Sequence, residues 1–227
     1  MRFKDVFSII GPSMIGPSSS HTAGAVRLGR CARQALGVMP NEAEIRFYGS
    51  FADTYVGHGT DLAIIAGLLD LDTDDVRIRH SIQHAEQLGM QIKFVPMTRP
   101  NVHPNTVTML LQGDGRKVTM TGCSIGGGSI EIINVNGFDV KFTAVYPTLL
   151  IYHKDRTGMV AEISDIARQA GINISYMEVD RKMRNGEALT VIESDERLLP
   201  EAKQRLEQLT DVNEVCIIDL MKKEAQS

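Results

Sequence analysis

Residues 148–193 read TLLIYHKDRTGMVAEISDIARQAGINISYMEVDRKMRNGEALTVIE, and the hydrophobic period along them changes in a fixed order. Thr148–His153 is an apolar run short enough for a strand, and Lys154–Gly158 is a loop. Val160, Ile163, Ile166, Ala167 and Ala170 then recur at helical spacing until Gly171 stops them. Ile172–Lys182 reads as a second strand, Arg184-Asn185-Gly186 as a hairpin turn of the Asn-Gly kind, and Ala188–Glu193 as the returning strand. Beyond the quoted stretch, Ala202, Leu206 and Leu209 give a second amphipathic helix and Val215–Leu220 a last strand. The order is βαββαβ, a small α+β domain over residues 148–220.

Upstream, a boundary falls near Phe142–Pro147, which makes residues 1–143 a body of their own. This body opens on a turn-rich run, Gly11–Ser20, followed by a helical pattern to Leu36 that Gly37 and Pro40 close. A short strand is expected at Ile45–Gly49. Helices follow from Thr60-Asp61 through Leu69 and from Asp75 to Leu88, with Gly89 ending the second. From Gln91 the period becomes that of strands: Gln91–Val95, Thr106–Gln112, Lys117–Thr121 and Ser129–Val135, separated by Gly/Asp/Asn turns. The body reads as α/β, helices first and then a mostly antiparallel sheet.

Composition removes several function classes. A net charge of −4 lacks the basic surface of a general nucleic-acid binder, and no helix-turn-helix pattern is present. Trp is absent and aromatics make up 5%, too few for stacking on bases or sugars. No stretch approaches twenty apolar residues, and Met1–Asp5 lacks a signal-peptide shape, so no membrane span and a cytoplasmic location are expected. Cys31, Cys123 and Cys216 are scattered and read as buried small hydrophobes, neither a disulfide framework nor a metal or iron–sulfur ligand set.

Four constellations bear on chemistry. Gly16-Pro17-Ser18-Ser19-Ser20-His21-Thr22-Ala23-Gly24 crowds hydroxyls around an imidazole where a loop becomes a helix. Free N–H groups and the helix dipole make such a place a seat for a carboxylate or phosphate. Arg27 and Arg30 on the following turns would add positive potential, whereas N-capping alone needs a single hydroxyl. A serine-hydrolase pairing is disfavoured, because adjacent Ser20 and His21 diverge and no Gly-x-Ser-x-Gly elbow exists. Val56-Gly57-His58-Gly59-Thr60-Asp61 places a second imidazole between glycines at a helix start, open to a ligand or simply a flexible turn. Asn101–Asn105 is a polar loop that turn chemistry explains as well as binding does. Ser124–Ser129 holds three consecutive glycines, which imply a hinge or a close partner contact. His80 and His84, at i and i+4, lack a third ligand and read as a solvated helix face.

Taken together, GPSSSHTAG at Gly16–Gly24, GHGTD at Gly57–Asp61, His103-Pro104-Asn105 and the Ser124–Gly128 loop resemble the beta domain of iron–sulfur-dependent L-serine dehydratases. Asp155-Arg156-Thr157-Gly158 followed by Ala170–Ile174 is similar to the ACT signature, a ferredoxin-like βαββαβ ligand-sensing domain. The signature departs only in having Thr157 where Pro is common before the Gly.

The resemblance implies conversion of L-serine to pyruvate and ammonia through a [4Fe–4S] Lewis acid held by a partner alpha chain. His21 and His58 would be the catalytic residues, and Ser18, Ser19, Ser20, Thr22 and Asn105 would hold the substrate. Asp155, Arg156, Thr157, Gly158 and Asn173 would bind a regulatory small amino acid, where two ACT domains pair as a homodimer. The competing reading is a non-catalytic subunit whose Ser/His loop senses serine while the partner carries out all chemistry.

Overall fold

A computed structural model describes residues 13–98 and 101–221; Gly11 and Pro12 of the turn-rich run lie outside them. The chain divides between Gly137 and Phe138 into two compact units.

In the first unit a turn of π-helix, Ser19–Ala23, runs directly into α1 (Gly24–Leu36). Then come β1 (Glu42–Tyr48), α2 (Ser50–His58), α3 (Thr60–Leu68), a 3₁₀ turn over Val76–His80 and α4 (Ser81–Gln87). Four strands complete it: β2 (Gln91–Met97), β3 (Thr106–Gly113), β4 (Arg116–Gly126) and β5 (Ser129–Val135). The strands lie in the order β2-β1-β3-β4-β5. Only β1 and β2 are parallel, because a helical crossover joins them; the others are antiparallel neighbours.

Strand alternation places the core. Ala43, Ile45 and Phe47 of β1 and Val107, Met109 and Leu111 of β3 are buried, while Glu44, Arg46 and Thr108 between them are half-buried and polar. The polar face is laced by Arg46 and Lys93 to Glu44, and by Thr108 Oγ1 to Thr121 Oγ1 at 2.8 Å.

Helices α1 and α3 touch backbone to backbone. A Cβ on Gly29 would overlap Ile64 O, and a Cβ on Gly67 would overlap Val26 O and lie 2.8 Å from Gly29 Cα. Such a crossing is open only to residues without a side chain.

The second unit holds β6 (Phe138–Phe142), β7 (Thr148–Lys154), α5 (Met159–Gln169), β8 (Ile174–Arg181), β9 (Glu187–Ser194), α6 (Pro200–Glu207) and β10 (Val212–Ile218). Its antiparallel sheet runs β10-β7-β9-β8. The core joins Leu149, Ile151 and Ile192 from the sheet to Met159, Ile163, Ile166 and Leu206 from the helices. The βαββαβ order is as expected.

One detail of the expected apolar stripe is corrected. Met159, 1% exposed, faces the core, and Val160, 45% exposed, does not. Strand β6 was not anticipated. Its Asp139 and Lys141 N–H groups donate to Asp180 Oδ2 and Glu178 Oε2 at 2.9 and 2.8 Å. Just after it, Glu193 Oε1 accepts from Thr143 N, Thr143 Oγ1 and Ala144 N at 3.1–3.2 Å.

Candidate active site

The site grows from Ser18. With extended backbone it caps the π-helical turn, and its Oγ accepts from His21 N at 3.2 Å. The wide turn rotates His21 inward beside two hydroxyls. Its Nδ1 lies 3.1 Å from Ser20 Oγ and 3.4 Å from Ser18 Oγ, and its Nε2 lies 3.3 Å from Ser50 Oγ. Each hydroxyl can donate or accept, so either neutral tautomer is satisfied. Phe51 meets the ring edge-on at 5.1 Å and His58 lies at 4.7 Å, centroid to centroid. Burial first, and then the neighbouring His58, disfavour the imidazolium and hold the His21 pKa below its ordinary value. The ring therefore favours its neutral form.

His58 does not open a helix, as the sequence suggested. It ends α2, and Gly59, at φ 67°, makes the left-handed joint from which α3 departs. Gly57 is an ordinary residue of the last turn of α2 with open space beside it.

The remaining loops close on the same place. Phe51 N donates to Pro104 O at 3.2 Å, and Ser124 N donates to Asn105 O at 3.0 Å. A Cβ on Gly24 would overlap Ser124 Oγ. The buried hydroxyls of Thr22, Thr60 and Ser124 have no hydrogen-bond partner among the described residues, an unusual concentration of unspent donors. Beside His58 a cavity of about 350 Å³ is lined by Pro17, Thr22, Leu62, Ile78 and Arg79 among others. A larger concavity of about 490 Å³ lies over the polar sheet face around Glu44, Lys93 and Lys117. No histidine lines it, so the chemistry places the site at the His pair instead.

The serine dehydratase beta chain model matches residues 3–133, and the ACT domain model matches residues 147–211. The chain belongs to the serine dehydratase beta chain family. It is 45% identical over 215 residues to a probable L-serine dehydratase, beta chain, of Bacillus subtilis (strain 168), covering 95% of this chain and 98% of that one. It is 36% identical over 188 residues to the L-serine dehydratase, beta chain, of Peptoniphilus asaccharolyticus, covering 82% and 85%. A D-3-phosphoglycerate dehydrogenase of Bacillus subtilis (strain 168) is 26% identical over 200 residues, which span 86% of this chain and 37% of that protein.

Seen as a serine dehydratase beta chain, the protein brings His21, His58, Ser18, Ser20 and Thr22 together. Ser19 contributes its carbonyl, which accepts from Gly24 N. Asn105 is engaged by its own loop and by β4. Its N–H donates to His103 Nδ1 at 3.2 Å, and its Nδ2 donates to Ser124 O at 3.4 Å. Of the two arginines expected to add positive potential, Arg30 pairs with Asp70 and Asp72, whereas Arg27 donates to the neutral Gly128 O.

The three glycines after Ile125 form the connection between two strands. Gly126, Gly127 and Gly128 all take positive φ in the tight turn between β4 and β5, where Gly126 pairs with Ser129. Ser50 was missed, for no local motif marks a serine that meets an imidazole 29 residues away in sequence.

In the second unit Asp155 accepts from Asn185 N and pairs with Arg181, while Arg156 pairs with Glu162 and Asp211. Gly158, at φ 90°, starts α5, and Asn173 lies beyond its other end, bonded to Asp195 and Glu196. Eleven residues of helix separate the two, about 16 Å, so one copy of the domain does not unite them.

Proposed function

We propose that this chain is the beta subunit of an L-serine dehydratase that converts L-serine to pyruvate and ammonia with a partner alpha chain. The observation that carries the proposal is the contact of half-buried His21, set among serine hydroxyls, with the exposed His58 ring 4.7 Å away. A base must take the α-proton of serine while the β-hydroxyl leaves as water; the resulting enamine tautomerises to an imine, and water hydrolyses that to pyruvate and ammonia. His21, kept neutral by burial and by His58, is the proton-transfer group. Ser18, Ser20 and Ser50 orient its ring, and the substrate is held by the Ser18–Thr22 loop together with Asn105.

The cysteines here do not suit a cluster. Cys31, Cys123 and Cys216 are each buried, and no three His, Cys, Asp or Glu residues gather among the described residues. We therefore assign the [4Fe–4S] cluster to the alpha chain, where it would supply a Lewis acid at the leaving hydroxyl. The ACT domain would take a small amino acid between Asp155–Gly158 of one copy and Asn173 of another, which accounts for the separation of these residues along α5.

Anaerobic iron and sulfide analysis tests the assignment. The pure chain is expected to be colourless and inactive, and the co-expressed pair brown and active on L-serine. A stoichiometric cluster on this polypeptide alone would falsify it.

A second reading, a sensing subunit without chemistry, is favoured by the D-3-phosphoglycerate dehydrogenase match, since that enzyme's name denotes a different reaction. The His21 variants below distinguish the two.

A further inference from the structure

L-serine arrives with a carboxylate that must be paired once water is excluded. Arg30 is neutralised by Asp70 and Asp72, and half-buried Arg27 is engaged on Gly128 O. Arg77 is held on both carboxylate oxygens of Asp75. One turn of 3₁₀ helix, Val76–His80, separates these fates: Arg77 is spent on Asp75, Ile78 is buried, and Arg79 is exposed with no partner among the described residues.

Arg79 lines the cavity of about 350 Å³ beside His58. That volume lies in the range of small-molecule sites. Its walls at Pro17, Leu62 and Ile78 are apolar. Thr22, 2% exposed, lines it too and carries a hydroxyl with no hydrogen-bond partner. His58 is common to both places, since its ring also contacts His21. One cavity thus holds a free guanidinium, an unspent buried hydroxyl and one member of the histidine pair.

We infer that Arg79 is the specificity-determining residue for the substrate, pairing with the α-carboxylate of a small zwitterionic amino acid while Thr22 Oγ1 supplies a second polar contact. The inference rests on the proposed dehydratase function and names the carboxylate contact that function lacks. A guanidinium presents two parallel N–H groups to a carboxylate, and an amide cannot replace the charge.

The test compares L-serine with L-serinamide, whose carboxylate is replaced by a neutral amide, on the reconstituted two-chain enzyme. Arg79→Gln should lower kcat/KM for L-serine about 10- to 100-fold, the worth of one charged hydrogen-bonded contact. For L-serinamide it should lower kcat/KM less than about threefold, so that most discrimination is lost. Arg79→Lys, which keeps the charge, should restore a preference for L-serine. Equal losses on both substrates, or no loss on either, in an enzyme whose wild type deaminates serine, overturn the role of Arg79 alone. A wild-type pair that does not deaminate serine overturns the underlying function and the inference with it.

Discussion

The imidazoles of His21 and His58 lie 4.7 Å apart and tilted by 46°, one entering α1 and the other leaving α2. Burial disfavours protonation of His21, and the neighbouring His58 ring adds to that effect. His21 is set to favour its neutral form.

Replacing His21 separates chemistry from sensing. In the reconstituted enzyme His21→Ala should lower kcat at least about 100-fold, as loss of a general base does. His21→Asn keeps one hydrogen-bonding edge and should be nearly as poor. If kcat survives both within about threefold while KM moves, the loop binds and does not react.

The electrostatic half of the pair is open to NMR titration of the full chain. His21 should gain its proton below the ordinary imidazole value of about 6.5. Because the folded pKa is the lower one, the unfolded chain binds the proton first, so this group costs stability as pH falls below about 6.5. His58→Gln removes the second cause and leaves burial. The His21 midpoint should rise toward the ordinary value without reaching it, and an unmoved or lower midpoint would refute the coupling.

Glu193, 8% exposed, gathers Thr143 N, Thr143 Oγ1 and Ala144 N on one oxygen. Glu193→Ala orphans those donors and should cost about 2 kcal/mol in urea unfolding of the full chain. Glu193→Gln retains an acceptor and should recover part of that. A neutral Ala variant would mean water replaces the carboxylate without cost.

Two helical glycines give opposite predictions for the same substitution. Gly57 has nothing within 4 Å of its missing Cβ, so Gly57→Ala should stabilise by up to about 1 kcal/mol. Gly67 faces backbone atoms of Val26, Gly29 and Arg30, which no rotamer change can move aside. There overpacking of about 1–3 kcal/mol should outweigh the propensity gain and lower the thermal midpoint. Equal effects at the two positions would mean the helices part freely.

How far the sequence discloses this molecule follows from the range of the forces involved. The βαββαβ order is local, written in period changes and in an Asn185-Gly186 turn whose Asn takes φ 60°. Helix α2 was hidden because SFADTYVGH carries no apolar stripe and buries only Phe51. The serine-rich loop announced a site through sheer excess of hydroxyls. Its orientation toward Ser50, and the neutralisation of Arg30 by Asp70 and Asp72, depend on tertiary contacts between distant segments and leave no local trace.

The Gly29–Gly67 contact has a mechanical meaning. Gly29 lies on the helix that continues from the His21 turn, and Gly67 lies on α3, which departs from the Gly59 joint next to His58. The two helices thus form a caliper pivoted where the backbones touch, with one imidazole on the turn that enters α1 and the other just before the joint that opens α3. The gap between the tips is gauged at a point that bears no functional group. Thickening the pivot by one methyl group would spread the jaws without touching either histidine.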